Sequence, residues 1–240
     1  MNFREILNKL KLLEDMDFSL ENELDPEVIE KLKIRGFNTD VVLYHGSPEV
    51  FTRFDKRKAR TAEHIYTSPD YETAGAYGQH LYACVGRTRP LADLIDNWDV
   101  IGKVAEELTD YFIREIDYIY TDEIKQYKSE LMRELQKQQE LFPENPGEIN
   151  DYDLEYEVDD SPKMEEFRKK LAKKYAIEKL QSGKLYEVSS QLQDHVMNIC
   201  FGMGYNCVRF VDPAVNFSGG ESESWVFDDG SDLLIIKKIR

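Results

Sequence analysis

The sequence predicts an α+β protein in which two strand-rich blocks form one core and a long helical segment is inserted between them. Two observations carry this. Short β-branched and aromatic runs bounded by Gly, Pro, Asp and Ser cluster near 41–89 and again near 205–239. Between them lie about ninety residues of heavily charged sequence with apolar residues at helical spacing.

Taken in order, residues 2–36 read as two helices. Leu7, Leu10 and Leu13, then Val28, Ile29 and Leu32, recur at helical intervals; Asp25-Pro26 suits a cap and first turn, and Gly36 a stop. VVLYHGS, HIYTS and HLYACVG read as strands, with a helix starting near Pro69 in PDYETAGAYG. Residues 93–184 form the helical insertion, whose apolar stripe includes Val104, Leu108, Phe112 and Ile116. Within it PENPGEINDYDLEYEVDDSP is acidic and turn-rich and reads as a loop, and a helix resumes near Pro162. A helix ending near Gly204, a strand NCVRFV, a polar loop DPAVNFSGGESES and closing strands WVF and DLLIIKKI complete the chain. The expected organisation is N-terminal helices over 1–40, the first half of the core over 41–92, the insertion over 93–184 and the second half of the core over 185–240.

With 240 residues, 41% of them apolar and 12% aromatic, the chain can bury a substantial core. A net charge of -16, from 47 acidic and 31 basic residues, favours basic partners and argues against free nucleic acid, which is held by Lys and Arg clusters. Cys84, Cys200 and Cys207 are odd in number and lack CxxC pairing, so neither a disulfide framework nor a zinc knuckle is expected. His64, His80 and His195 lack metal-ligand spacing, and no metal is expected. The N-terminal charges are scattered rather than followed by an apolar segment, and no run reaches the roughly 18–20 apolar residues of a membrane span. These features together predict a soluble, cytoplasmic protein.

Three pieces of the strand-rich blocks carry chemistry: YHGS at 44–47, IYTSPDYETAGAYG at 65–78 and ESESWVF at 221–227. Their order and spacing resemble the ADP-ribosyltransferases with a His-Tyr-Glu triad, the diphtheria-toxin and poly(ADP-ribose) polymerase branch. There a His-Gly strand precedes an Ile-Tyr strand, a short helix bears a second tyrosine, and a Glu opens an aromatic-rich strand near the C-terminus. The matching residues here are His45-Gly46, Ile65-Tyr66, Tyr77 and Glu223. Single-domain transferases of phage and mobile-element polyvalent proteins are the most similar in flavour, and Gly204-Tyr205 fits their turn before the last strands. The resemblance covers residues 41–89 and 203–239. Two positions depart from it: His64 stands where the family usually has glycine, and Ala74 where many members have serine.

The resemblance implies NAD as substrate, with Glu223, Tyr66 and His45 as the catalytic triad and His45, Gly46, Tyr66 and Tyr77 contacting NAD. Physical reasoning assigns each a task. Cleaving the nicotinamide-ribose bond develops a cation on the sugar, which a fixed Glu223 carboxylate stabilises while accepting a ribose hydroxyl. Tyr66 and Tyr77 can sandwich the flat nicotinamide, each face contact contributing about 0.5–1.5 kcal/mol beyond burial. Gly46, lacking a side chain, can offer its backbone N–H and C=O to the nicotinamide amide, and His45 can bond the adenosine ribose. Glu221 forms a Glu-x-Glu pair with Glu223, which in the arginine-modifying branch orients the acceptor guanidinium. The expected function is transfer of ADP-ribose to a macromolecule, a protein acceptor with a basic surface, in the setting of a phage effector acting on a host or defence protein. Plain NAD hydrolysis and a non-catalytic acidic decoy are the alternatives. The insertion, outside every NAD-contacting residue, is expected to choose the partner through its carboxylates, 151–160 above all.

Overall fold

The computed structural model describes residues 20–55, 64–141, 151–183, 189–212 and 222–240. The chain is α+β and divides into two compact units, Met1–Ala92 with Phe201–Arg240, and Asp93–Cys200. The helix expected over the first residues lies outside the described part.

In the first unit, α1 (Leu20–Glu23) and α2 (Pro26–Ile34) precede β1 (Asn38–Ser47). Pro26 begins α2 as its fixed φ favours, and Leu32 is the residue of α2 that is buried. Next come β2 (Ile65–Thr67), the short helix α3 (Tyr71–Ala76), β3 (His80–Gly86) and β4 (Leu91–Asp93). Asp70 caps α3, its carboxylate accepting from the backbone N–H of Glu72 and Thr73. The C-terminal part adds β5 (Cys207–Asp212), β6 (Ser222–Phe227), a 3-10 turn (Gly230–Asp232) and β7 (Leu233–Lys238). These strands form two sheets, β1-β3-β7 and β2-β6-β5-β4. Leu43, Tyr82, Cys84 and Leu233 from the first sheet pack against Ile65, Cys207, Trp225 and Phe227 from the second. The opposite face of the first sheet packs Val85 against Leu20 and Leu32. Burial on both faces explains why β3 reads HLYACVG, an almost unbroken apolar run, instead of alternating.

The second unit is helical: α4 (Trp98–Glu107), α5 (Thr109–Phe112), α6 (Ile116–Ile119), α7 (Thr121–Leu141), α8 (Asp151–Asp159), α9 (Pro162–Ser182) and most of α10 (Ser190–Gly202). The expected stripe Val104, Leu108, Phe112 and Ile116 is fully buried, although it runs through three short helices and not one long one. Ser161 caps α9 by accepting from the Met164 N–H, Pro162 follows it, and Gly183 ends the helix in the left-handed conformation. Two expectations change. Residues 151–159, read as part of a loop, are the helix α8, with Leu154 and Val158 buried on one side. Helix α10, expected in the second half of the core, groups with the insertion as far as Cys200. The carboxylates that made 151–160 look like a solvated loop are partly engaged. Lys128 on α7 meets Glu155 at 2.8 Å and Asp159 at 2.5 Å. Arg168 on α9 bridges Asp159 at 3.1 Å and Asp117 at 2.9 Å. No helix among the described residues is long and apolar enough to cross a membrane.

Candidate active site

The sequence motifs lie in the first unit, on strands of both sheets and on α3. His45 pairs with Tyr82 across β1 and β3, and residues opposite one another share a face. Its side chain therefore points the same way as Leu43, Tyr82 and Cys84, into the core between the sheets. Phe51 and Phe54 meet its ring edge-on, with centroids 5.7 and 5.1 Å away. His45 Nδ1 lies 2.8 Å from the Tyr66 carbonyl oxygen. A carbonyl only accepts, so the proton sits on Nδ1 and Nε2 presents a lone pair. Burial lowers the pKa of His45, and the carbonyl bond offsets only part of that shift, so the neutral ring is favoured.

Gly46 follows with its backbone turned the other way. Its partner Leu81 directs both backbone groups toward the two residues that follow β7, donating to Arg240 O at 3.0 Å and accepting from Ile239 N at 2.7 Å. Gly46 and Leu81 are thus a non-hydrogen-bonded pair, and the N–H and C=O of Gly46 face away from β3. They lie on the edge where Tyr44 exchanges two bonds with Ser68, at 2.7 and 2.9 Å. A Cβ at Gly46 would stand 1.8 Å from the Ala74 carbonyl oxygen, and one at Gly78 would stand 2.0 Å from Ser47 C. Glycine at both ends of the contact lets α3 and β1 touch backbone to backbone.

Helix α3 is pinned to the start of β6. Ser222 Oγ donates to Thr73 Oγ1 at 2.9 Å, and Thr73 Oγ1 donates to Asp70. The next residue, Ala74, is buried and brings no hydroxyl. Tyr77 closes the helix with its ring half exposed, while Tyr71 in the first turn meets Tyr44 edge-on at 6.2 Å.

Glu223 lies on β6 facing the same core as Trp225 and Phe227, since alternate residues share a face. Ser68 Oγ holds its backbone carbonyl at 2.8 Å, and Thr67 Oγ1 holds that of Trp225 at 2.8 Å. Its carboxylate is far from bare. Arg209 on β5 approaches through both edges of its fork, Nη2 donating to Oε2 at 2.9 Å and Nε lying 2.9 Å from Oε1. The Trp225 indole N–H donates to Oε1 as well, and the guanidinium sits 5.9 Å from the Trp225 ring centre.

His45 and Glu223 therefore point into the same inter-sheet space from opposite sheets, and Gly46 adjoins His45. Tyr66 differs: it pairs with Val226, three residues from Glu223, so its side chain lies on the face of the second sheet opposite to Glu223. Its carbonyl is what reaches His45. Glu221 lies outside the described residues. Sequence reasoning missed Arg209, the one basic residue in the strand CVRFVD, whose pairing with Trp225 becomes visible only once the β5-β6 register is known. It also missed Ser68 and Thr73, whose hydroxyls fasten β6. Among the described residues no group of three or more His, Cys, Asp or Glu side chains is arranged to hold a metal ion.

No model of a known protein family matches the chain, and no curated protein matches it. Among solved structures it is similar to the crystal structure of an anti-CRISPR protein at 15% identity, over 83% of this chain and 95% of that one, with a TM-score of 0.34. A likeness this distant carries no argument about fold or function.

Proposed function

We propose that the protein binds NAD between its two sheets, cleaves the nicotinamide-ribose bond and transfers ADP-ribose to a protein acceptor with a basic surface. The observation that carries the reading is the arrangement around β1. A neutral His45 is fixed by the Tyr66 carbonyl with Nε2 as acceptor, and Gly46 beside it turns its peptide groups away from the sheet. Such a pair suits a nucleotide. Nε2 can accept a ribose hydroxyl, and the Gly46 N–H and C=O match the acceptor and donor of a carboxamide. Glu223, directed into the same space, would stabilise the cation that forms as nicotinamide leaves. Carbon-nitrogen cleavage releases nicotinamide, and the acceptor nucleophile bonds to the sugar carbon while losing its proton. The resemblance of the three motifs to the His-Tyr-Glu transferases supports the same assignment.

Glu223→Gln tests it. The amide keeps the shape and removes the charge, so nicotinamide release should fall about 10²- to 10³-fold with NAD affinity nearly unchanged. Unchanged turnover, or no calorimetric binding at millimolar NAD, would sink the assignment. Intact-mass measurement after incubation with a basic protein separates transfer, which adds ADP-ribose, from hydrolysis, which adds nothing.

A further inference from the structure

We infer that Arg209 is a positioning residue of this site: with Trp225 it clamps the Glu223 carboxylate so that one acceptor direction on Oε2 remains for substrate. The inference rests on the transferase reading and assigns a role that the three sequence motifs do not contain. A carboxylate accepts about four hydrogen bonds, two on each oxygen. Here the Trp225 indole donates to Oε1 and Arg209 Nη2 donates to Oε2, while Arg209 Nε covers the rest of Oε1 as an ion-pair contact at 2.9 Å. Among the described residues one direction on Oε2 is left, and a single ribose hydroxyl is what the reaction presents to Glu223.

The clamp is built from three residues on one face of two paired strands. Arg209 lies directly opposite Trp225, and Glu223 precedes Trp225 by two, so their side chains emerge side by side. Trp225 is nearly buried and therefore fixed, which leaves the indole N–H a rigid reference for the carboxylate. The planar guanidinium fork adds a second rigid constraint, and lysine cannot reproduce it. A carboxylate held at both oxygens cannot swing between rotamers as the sugar becomes cationic. The fixed charge needs no reorganisation during the reaction.

The chain has two tryptophans, so a Trp98→Phe background makes Trp225 the sole indole and its emission a reporter of the clamp. In that background, without NAD, Arg209→Ala and Glu223→Gln should each shift Trp225 emission, and the double variant should shift it no further than the larger single. With NAD, Arg209→Ala should lower kcat for nicotinamide release about 10- to 100-fold, the scale of a slightly misplaced group, with KM changed less than about threefold. Arg209→Lys should recover only part of kcat. A thermal melt confirms that each variant is folded, and the lysine variant serves if the alanine variant is not. Three results would overturn the role: parental kcat in a folded Arg209 variant, a loss confined to KM, or Trp225 emission indifferent to both substitutions. Absence of nicotinamide release from the parent overturns the transferase reading and this role together, whereas release that ignores Arg209 overturns this role alone.

Discussion

Gly46→Ala probes the contact on which the whole candidate site is built, and its effect follows from distances alone. The added methyl would stand 1.8 Å from Ala74 O and 2.9 Å from Ala74 C. Carbon-oxygen approaches in folded proteins settle near 3.3–3.6 Å, so β1 and α3 must separate by about 1.5 Å at this point. Both opposing atoms are backbone, and no rotamer change can relieve them. Overpacking of this kind costs roughly 1–3 kcal/mol, which for a unit of this size lowers the melting temperature by about 4–12 °C. Circular dichroism on heating is the assay. Gly102→Ala is the control, because a Cβ there meets nothing within 4 Å and the residue lies inside α4. That substitution should stabilise its helix by about 0.8–1 kcal/mol. A Gly46→Ala protein that melts with the wild type, while Gly102→Ala melts higher, would show that α3 does not rest on β1 as described. Displacing α3 would also move Tyr77 away from Gly46, so the same variant should bind NAD more weakly.

Two further expectations concern the histidine and the acidic helix. Burial lowers the folded-state pKa of His45 below its ordinary 6.5. The unfolded chain therefore binds more protons there, and the stability that neutral His45 contributes is complete above about pH 6.5 and lost as pH falls through the lowered folded value. The wild-type melting temperature should thus decline over that interval more steeply than that of His45→Asn; parallel pH profiles would refute it. In the helical unit, Asp159→Asn removes a carboxylate shared by Lys128 and Arg168 and should cost about 1 kcal/mol. Exposed Glu157→Gln should stay within about 0.5 kcal/mol in a urea melt, and equal losses from the two would show that the Asp159 network is inert.

The legible parts of the fold were those specified by neighbouring residues. Ser161-Pro162 marks the start of α9, the buried stripe from Val104 to Ile116 follows helical spacing, and β1 and β3 carry uninterrupted strand chemistry. The misread part, 151–159, shows why composition misleads. Its local sequence offers two apolar anchors, Leu154 and Val158, among carboxylates that repel one another. Opposing that repulsion are Lys128, twenty-seven or more positions earlier, and Arg168 on the following helix. Charge compensation between helices has no signature in a local window, so the segment resembles a loop until the cations are placed beside it.

The candidate site divides along the same line. His45 and Gly46 are adjacent, and strand alternation alone aims the histidine ring at the core while turning the glycine peptide toward the open edge. Glu223 depends on pairing instead. Its environment comes from Arg209 on the paired strand β5 and from Ser68, just past β2 and 155 positions away. A one-residue slip of β6 would turn Glu223 out of the inter-sheet space and bring Ser222 and Ser224 into it. What holds the register is a set of side-chain bonds to β6: Thr67 and Ser68 on its carbonyls, Thr73 on Ser222, and the Phe227 ring packed over Gly86. These hydroxyl residues touch no substrate in the proposed reaction, yet they determine which face of β6 carries the carboxylate. Their role in the site is therefore one of register, which the three motifs presuppose and do not themselves encode.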